Sequence, residues 1–64
     1  MTRAELWAYL DALELYETWV VKELPENLSA HRASNAYNIR SDPARRGEMT
    51  MKEVDDGYLF VRVR

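Results

Sequence analysis

The stretch EMTMKEVDDGYLFVRVR, residues 48–64, contains the clearest β-strand pattern in the chain and decides the predicted fold. Apolar and polar residues alternate on both sides of Asp55-Asp56-Gly57, which is typical of a β-hairpin. Two registers compete for this segment. A two-residue turn at Asp56-Gly57 would place Lys52 within the apolar face, whereas a three-residue loop with a glycine bulge pairs Val54 with Tyr58.

We expect the three-residue loop, because it produces the cleaner apolar face and a one-residue slip moves every side chain to the opposite face. The predicted inner face has only Glu53 at its edge and otherwise consists of Met49, Met51, Leu59, Val61 and Val63. The predicted outer face carries aromatic, β-branched and basic residues: Thr50, Lys52, Val54, Tyr58, Phe60, Arg62 and Arg64.

The N-terminal third is predicted to form one long helix over roughly residues 3–23. Thr2 and Glu5 have the spacing of a capping box. Apolar residues then recur at three- and four-residue steps until Pro25, which disfavours helical backbone at the residue before it. This stripe consists of Leu6, Tyr9, Leu10, Leu13, Tyr16, Val20 and Leu24. We expect it to cover the inner face of the hairpin.

The middle of the chain is predicted to be a connector followed by a third strand. Residues 25–35 are rich in turn formers and are expected to form a loop or a short helical turn within 26–34. The alternating AYNIRS, residues 36–41, reads as a short strand, and DPARRG, residues 42–47, reads as a turn.

The predicted fold is therefore α+β, with one long N-terminal helix packed on a three-stranded antiparallel sheet in the order α-β-β-β. We expect a single small domain over residues 1–64.

Size and composition limit how such a domain can be stabilised. A chain of 64 residues buries only about 60% of its unfolded surface and is marginal alone. It has no cysteine and one histidine, so disulfides are excluded, and we expect no metal and no other cofactor. Self-association or partner binding is the remaining expected support.

No segment resembles a secretory signal or a membrane span, so the cytosol is the expected location.

Residues with catalytic potential are few, and we expect neither enzymatic activity nor a small-molecule substrate. His31 lies in a predicted loop near Ser34, without a third group to orient its ring. Asp55 and Asp56 precede a glycine, a position where Asp serves turn geometry. Two isolated glycines cannot form a glycine-rich phosphate loop.

Surplus apolar surface predicts a protein-binding function. Trp7 and Trp19 would lie on either side of the helical stripe, where one small sheet cannot cover both. Trp and Tyr often anchor protein interfaces. The predicted contact residues combine these flanks with the outer sheet face: Trp7, Trp19, Tyr58, Phe60, Arg62 and Arg64. We expect a homodimer, since a two-fold contact needs only one self-complementary patch, and an unidentified protein as the functional partner.

In size, acidity and lack of motifs, the chain resembles small phage and mobile-element proteins that inhibit host enzymes or defence complexes, anti-CRISPR proteins among them. The resemblance is one of type and transfers no site residues. It implies a complete small chain that acts as a stoichiometric inhibitor by occupying the surface of a larger protein.

Single-stranded nucleic acid is the alternative predicted partner. Aromatic and basic residues of the outer sheet face would form a stacking platform. Further basic residues would extend it: Arg40, Arg45, Arg46 and Lys52. The pI near 5.3 argues against this alternative, because nucleic-acid-binding domains are usually basic. The acidic residues of the predicted helix scatter around it, so they also provide little basis for mimicry of DNA.

Overall fold

The computed structural model describes residues 1–40 and 47–64. Five elements follow one another within these residues: α1 (Arg3–Asp11), β1 (Thr18–Val21), α2 (Ala30–Asn38), β2 (Met49–Val54) and β3 (Gly57–Arg62). The strands form one antiparallel sheet in the order β1-β3-β2. The predicted α+β class with a three-stranded antiparallel sheet is confirmed. The element order is instead α-β-α-β-β, and the first helix is short.

The first helix begins as predicted and ends much earlier. The Thr2 hydroxyl accepts a hydrogen bond from the Glu5 N–H (3.1 Å), and the Glu5 carboxylate accepts one from the Thr2 N–H (3.0 Å), so the capping box is confirmed. These bonds hold the pKa of Glu5 below its usual value. The prediction of a helix to residue 23 is wrong, because α1 has nine residues. Its apolar stripe continued into Thr18–Val21, a run of strand-favouring residues that pairs with β3 instead.

The middle segment also differs from its prediction. Residues predicted as a loop and the start of a strand form α2, so the predicted strand at 36–41 is wrong within the described residues. Three alanines favour this helix, and Ala33 and Tyr37, four residues apart, are buried on its inner side. The predicted turn at 42–47 lies outside the described residues except for Gly47, which has a φ of 80°.

The C-terminal hairpin is confirmed, but its register is neither of the two that we considered. Val54 pairs with Gly57, so the loop consists of Asp55 and Asp56 alone. Phe60 consequently lies between Trp19 on β1 and Met51 on β2, and it is 0% exposed. The one-residue shift inverts the face of β3 that we predicted to be buried.

The prediction that Leu59, Val61 and Val63 point inward is therefore wrong. Leu59 and Val61 lie on the outer face, opposite Val20 and Thr18 respectively, and both are half-buried. Val63 follows the end of β3 and is also half-buried.

Gly57 is required by the packing of two strands rather than by the turn. Its φ is 141°, and a Cβ at this position would collide with the carbonyl oxygen of Val21 and approach the Lys22 Cα to 2.9 Å. The close approach of β1 thus needs a residue without a side chain. This contact could not be predicted from the sequence, because the residues of β1 were predicted to be part of a helix.

The core lies between the inner sheet face and the two helices. Its largest fully buried side chains come from four of the five elements: Leu6, Leu10, Tyr37, Met49 and Phe60. Trp7, Trp19 and Tyr58 pack against this core while remaining partly exposed. The sheet and the helices thereby position the exposed residues of the segment that runs from α1 to β1.

Candidate functional site

Trp19 is a half-buried ring that joins the core to the surface. On one side it lies near Phe60, with a ring-centroid distance of 6.1 Å. On the other side Tyr9 of α1 stacks on it at 5.0 Å with an interplanar angle of 16°. Tyr9 is itself 56% exposed, so the stack reaches solvent. A rigid pair of rings of this kind can serve as an interface anchor.

Trp7 instead contributes to the contact between α1 and α2. It meets the buried Tyr37 ring edge-on, with centroids 5.4 Å apart. Tyr37 in turn donates a hydrogen bond from its hydroxyl to Asp11 Oδ1 (2.6 Å), and the Arg40 guanidinium lies 3.7 Å from the centre of its ring. Arg40 also forms an ion pair with Asp11 at 2.7 Å. This network links the end of α1 to the end of α2.

The packing between the two helices changes the titration of Tyr37. Burial, followed by the hydrogen bond to Asp11, raises the pKa of Tyr37 to about 12. The hydroxyl therefore keeps its proton at neutral pH and acts as a hydrogen-bond donor. We assign it a structural role, because its donor bond and its ring contacts all connect elements of the fold.

The aromatic and basic residues predicted for the outer sheet face do not share that face. Tyr58 and Phe60 lie on the inner face, opposite Val21 and Trp19. Arg62 donates through Nη1 to the carbonyl oxygen of Leu13 (2.8 Å), which ties the end of β3 to the segment after α1. The predicted arrangement is wrong because it rested on the shifted hairpin register.

The basic residues of the alternative nucleic-acid surface are also separated from the aromatic ones. Arg40 is engaged with Tyr37 and Asp11, and Lys52 lies exposed on the outer face of β2. Arg64 is exposed beyond β3. Arg45 and Arg46 lie outside the described residues. Tyr58, Phe60 and Arg62 share the inner face of β3, so no exposed sheet face in the described part combines the rings and the cations.

Exposed apolar residues are instead concentrated around β1. Six large apolar residues are exposed in the described chain, and four of them fall between residues 9 and 20. These four residues are Tyr9, Leu15, Tyr16 and Val20. Sequence reasoning assigned three of them to a buried helical stripe. Only the end of α1 at Asp11 and the change to strand geometry reveal that they are exposed.

Tyr16 occupies an unusual backbone conformation in the turn before β1. Its φ is 65°, in the left-handed region that favours glycine, and its side chain is 71% exposed. The Glu17 N–H closes the turn on the carbonyl oxygen of Glu14 (2.9 Å), and the Glu14 N–H donates to Glu17 Oε1 (2.8 Å). The conformation therefore belongs to a hydrogen-bonded turn.

This turn continues directly into a β-bulge. The Tyr16 N–H donates to the carbonyl oxygen of Arg62 (2.6 Å), while the Arg62 N–H donates to the carbonyl oxygen of Glu17 (3.2 Å). Two residues of one strand thus oppose a single residue of β3. The bulge displays the Leu15 and Tyr16 side chains at the start of β1.

The two edge strands of the sheet differ in how their outward-facing backbone groups are bonded. At the start of β2, the buried Asn38 side chain donates from Nδ2 to the Met49 carbonyl oxygen (2.9 Å) and accepts at Oδ1 from the Met49 N–H (2.7 Å). In residues 1–40 and 47–64, no comparable side-chain bond reaches the backbone of Thr18 or Val20 on β1. The edge formed by β1 is therefore open.

The remaining sequence candidates lie apart from this region. His31 is exposed on the first turn of α2, and Asp55 and Asp56 form the hairpin loop beside a shallow groove lined also by Lys22 and Tyr58. The described residues contain no cluster of three or more His, Asp or Glu that could hold a metal ion. Nor does any helix in this part of the chain have the length and apolarity needed to cross a membrane.

Comparison of the chain with protein-family models, with curated proteins and with solved structures finds no match.

Proposed function

We propose that this chain is a cytosolic, non-enzymatic protein-interaction module that self-associates and binds a larger protein in a fixed ratio, as an inhibitor would. The observation that carries the proposal is Tyr16, a large apolar side chain displayed to solvent at a backbone position suited to glycine. The resemblance in type to small phage inhibitors supports the inhibitory role, and the partner remains unidentified.

The turn and the bulge hold the Tyr16 backbone in the left-handed conformation through hydrogen bonds that glycine would also make, so the large side chain carries a cost that glycine would not. A residue other than glycine in the left-handed region costs roughly 1–2 kcal/mol. A side chain that is 71% exposed buries little area to offset this cost. Strained residues of this kind concentrate at functional surfaces, where the benefit lies in a contact with another molecule. We therefore assign Tyr16 to the binding surface.

The neighbours of Tyr16 have the chemistry of a protein interface. Leu15 is 52% exposed beside it, and the stacked Tyr9 and Trp19 rings form a preorganised apolar surface on α1 and β1. Few rotamers need to be ordered on binding, because Trp19 is already held between Tyr9 and Phe60. Single-stranded nucleic acid fits less well, since the buried Phe60 and the engaged Arg40 cannot form the platform that such binding needs.

The substitution Tyr16→Gly tests the proposal by separating stability from binding. We expect the free energy of unfolding to rise by about 1 kcal/mol, because glycine relieves the left-handed strain. We expect partner binding to weaken roughly tenfold, because an interface side chain is lost. Urea unfolding measures stability. The yield of a co-purifying protein, with tagged wild-type and variant chains as bait in the native cells, measures binding.

Ile39→Thr is the matched control, since Ile39 is also apolar and exposed and lies directly after α2, away from the turn before β1. This control should retain the partner at wild-type yield. Equal retention by the Tyr16→Gly chain would contradict the assignment of the surface. A chain that retains no specific protein and stays monomeric in light scattering up to about 100 μM would contradict the proposed function as a whole.

A further inference from the structure

We infer that a second copy of this chain pairs with the open edge of β1 in antiparallel orientation, centred on Trp19, so that Thr18 of each copy lies opposite Val20 of the other. The inference rests on the self-association in the proposed function and specifies its geometry. It joins the two three-stranded sheets into one sheet of six strands.

The hydrogen-bond pattern of the β1–β3 ladder identifies which groups are free to pair. The Arg62 N–H donates to the carbonyl oxygen of Glu17, and the carbonyl oxygen of Val21 is directed towards Gly57. Because antiparallel pairs alternate between bonded and non-bonded, the Glu17 carbonyl oxygen and the backbone groups of Trp19 and Val21 are directed towards β3. The N–H and C=O groups of Thr18 and Val20 therefore point away from the sheet, to the open edge.

The edge strand is short and follows a bulge, but it lacks the charged and proline residues that usually prevent strand pairing. The four residues Thr18–Val21 include no charge, no proline and no glycine. Thr18 and Val20, whose backbone groups face the open edge, also have exposed side chains, that of Val20 to 46%. Natural sheets normally protect such an edge with lysine, proline or a covering element. An unprotected edge in a 64-residue chain without cysteine is suited to pairing with another strand.

Symmetry restricts the register to a few choices. Two antiparallel edge strands related by a two-fold axis perpendicular to the sheet keep their inner faces on the same side. Residues of the same face must then lie opposite each other, so the axis passes through Thr18, Trp19 or Val20. Helix α1 of both copies would cover the same side of the joined sheet.

Charge and backbone geometry select the register centred on Trp19. An axis through Val20 places Glu17 opposite Glu23 of the second copy, which is a like-charge pair. An axis through Thr18 pairs Val20 of each copy with Tyr16 of the other, at the bulge where the backbone leaves strand geometry, whereas an axis at Trp19 pairs Thr18 with Val20 inside the strand. With the axis at Trp19, Glu17 lies opposite the uncharged Val21 of the other copy, so no like charges are directly opposed.

Disulfide trapping tests this register directly, since the native chain has no cysteine. The substitutions Thr18→Cys and Val20→Cys are made in separate full-length chains, both on the exposed outer face. In a hydrogen-bonded antiparallel pair, opposite Cα atoms are about 5.5 Å apart, within the range that a disulfide spans. Lys52→Cys, on the outer face of the other edge strand, measures the rate of chance collision. Light scattering of the reduced chains measures self-association.

We expect the mixture of Thr18→Cys and Val20→Cys chains to form the mixed disulfide dimer at least about tenfold faster than either chain alone or the Lys52→Cys control. Faster cross-linking of Thr18→Cys alone or of Val20→Cys alone would identify one of the other two axes and overturn the inference. A dimer in light scattering with all cross-linking at the collision rate would overturn the inference while leaving the proposed function standing. A strictly monomeric chain would overturn both the inference and the proposed self-association.

Discussion

The two edge strands of this sheet, β2 and β1, show opposite solutions to the same problem. An edge strand presents backbone groups that lack a partner within the sheet. At β2, helix α2 packs against the strand and the Asn38 amide bonds both polar groups of Met49. At β1, the backbone of Thr18 and Val20 faces away from β3 without such a bond in the described part of the chain. Exposed apolar residues collect on the open side.

This difference shows that, at Met49, one side chain and one helix take the place of a neighbouring strand. Asn38 replaces a neighbouring strand at a single residue, because its amide has one donor group and one acceptor group that match the backbone. Helix α2 is held in place by the contacts of Tyr37 with Trp7, Asp11 and Arg40. The open edge has no equivalent and remains available for intermolecular contact. The following predictions test both sides of the comparison.

The largest effect is expected from Gly57→Ala, which separates β1 from the rest of the sheet. The added methyl group collides with the Val21 carbonyl oxygen, and the positive φ adds strain, so we expect a loss of about 3 kcal/mol in the free energy of unfolding. Gly47→Ala is the matched control, because Gly47 also has a positive φ, but a Cβ there would meet only the Arg64 guanidinium carbon at an ordinary contact distance of 3.9 Å. Its expected loss is about 1 kcal/mol. Equal losses in urea unfolding would show that the approach of β1 to Gly57 is not restrictive.

A smaller effect is expected from Asn38→Ala, which opens the protected edge. The buried N–H and C=O groups of Met49 lose their partners, so we expect a loss of about 2 kcal/mol in stability. The uncovered β2 edge should also increase self-association in light scattering. Asn35→Ala, an exposed position on the same helix, should change stability by less than about 0.5 kcal/mol. If the two variants behave alike, the amide does not protect the edge.

An effect confined to alkaline pH is expected from titration of Tyr37, which loosens the helix packed against β2. Its pKa is about 12 in the folded chain and near 10.0 in the unfolded chain, so the folded state holds the proton more tightly. Its contribution to stability is therefore complete below pH 10.0 and is lost as the pH rises towards 12. Tyr37→Phe should remove this part of the pH dependence, with other tyrosines unchanged. Parallel pH profiles of the two proteins in urea unfolding would disprove the assignment.

The parts of the fold that sequence patterns predicted correctly are local. The capping box of Thr2 and Glu5 depends on residues three positions apart, and the hairpin of β2 and β3 depends on one turn. The pattern in Thr18–Val21 failed, because Val20 fits both the helical stripe and a strand. Only the pairing of this segment with β3, about 40 residues later in the chain, favours the strand.

The candidate site was predictable only in small part. The prediction selected Trp19 as a residue at the margin of the core, and it is half-buried beside the exposed Tyr9. Leu15 and Tyr16 were missed as surface residues, because their exposure depends on the early end of α1 and on the bulge opposite Arg62. Their position after a helix and before a β-branched run was the available signal. Phe60 was misplaced by the one-residue error in register.

By itself, the sequence determined where the first helix begins, that residues 48–64 form a hairpin, and that a chain without cysteine has more apolar side chains than a lone small domain readily covers. The tertiary structure decided the register of that hairpin, the conversion of Thr18–Val21 from helix to strand, and which sheet edge stays open. The physical reason is the range of the interactions. Caps and turns act within a few residues, whereas strand pairing, core packing and edge protection join segments that the chain order does not place together.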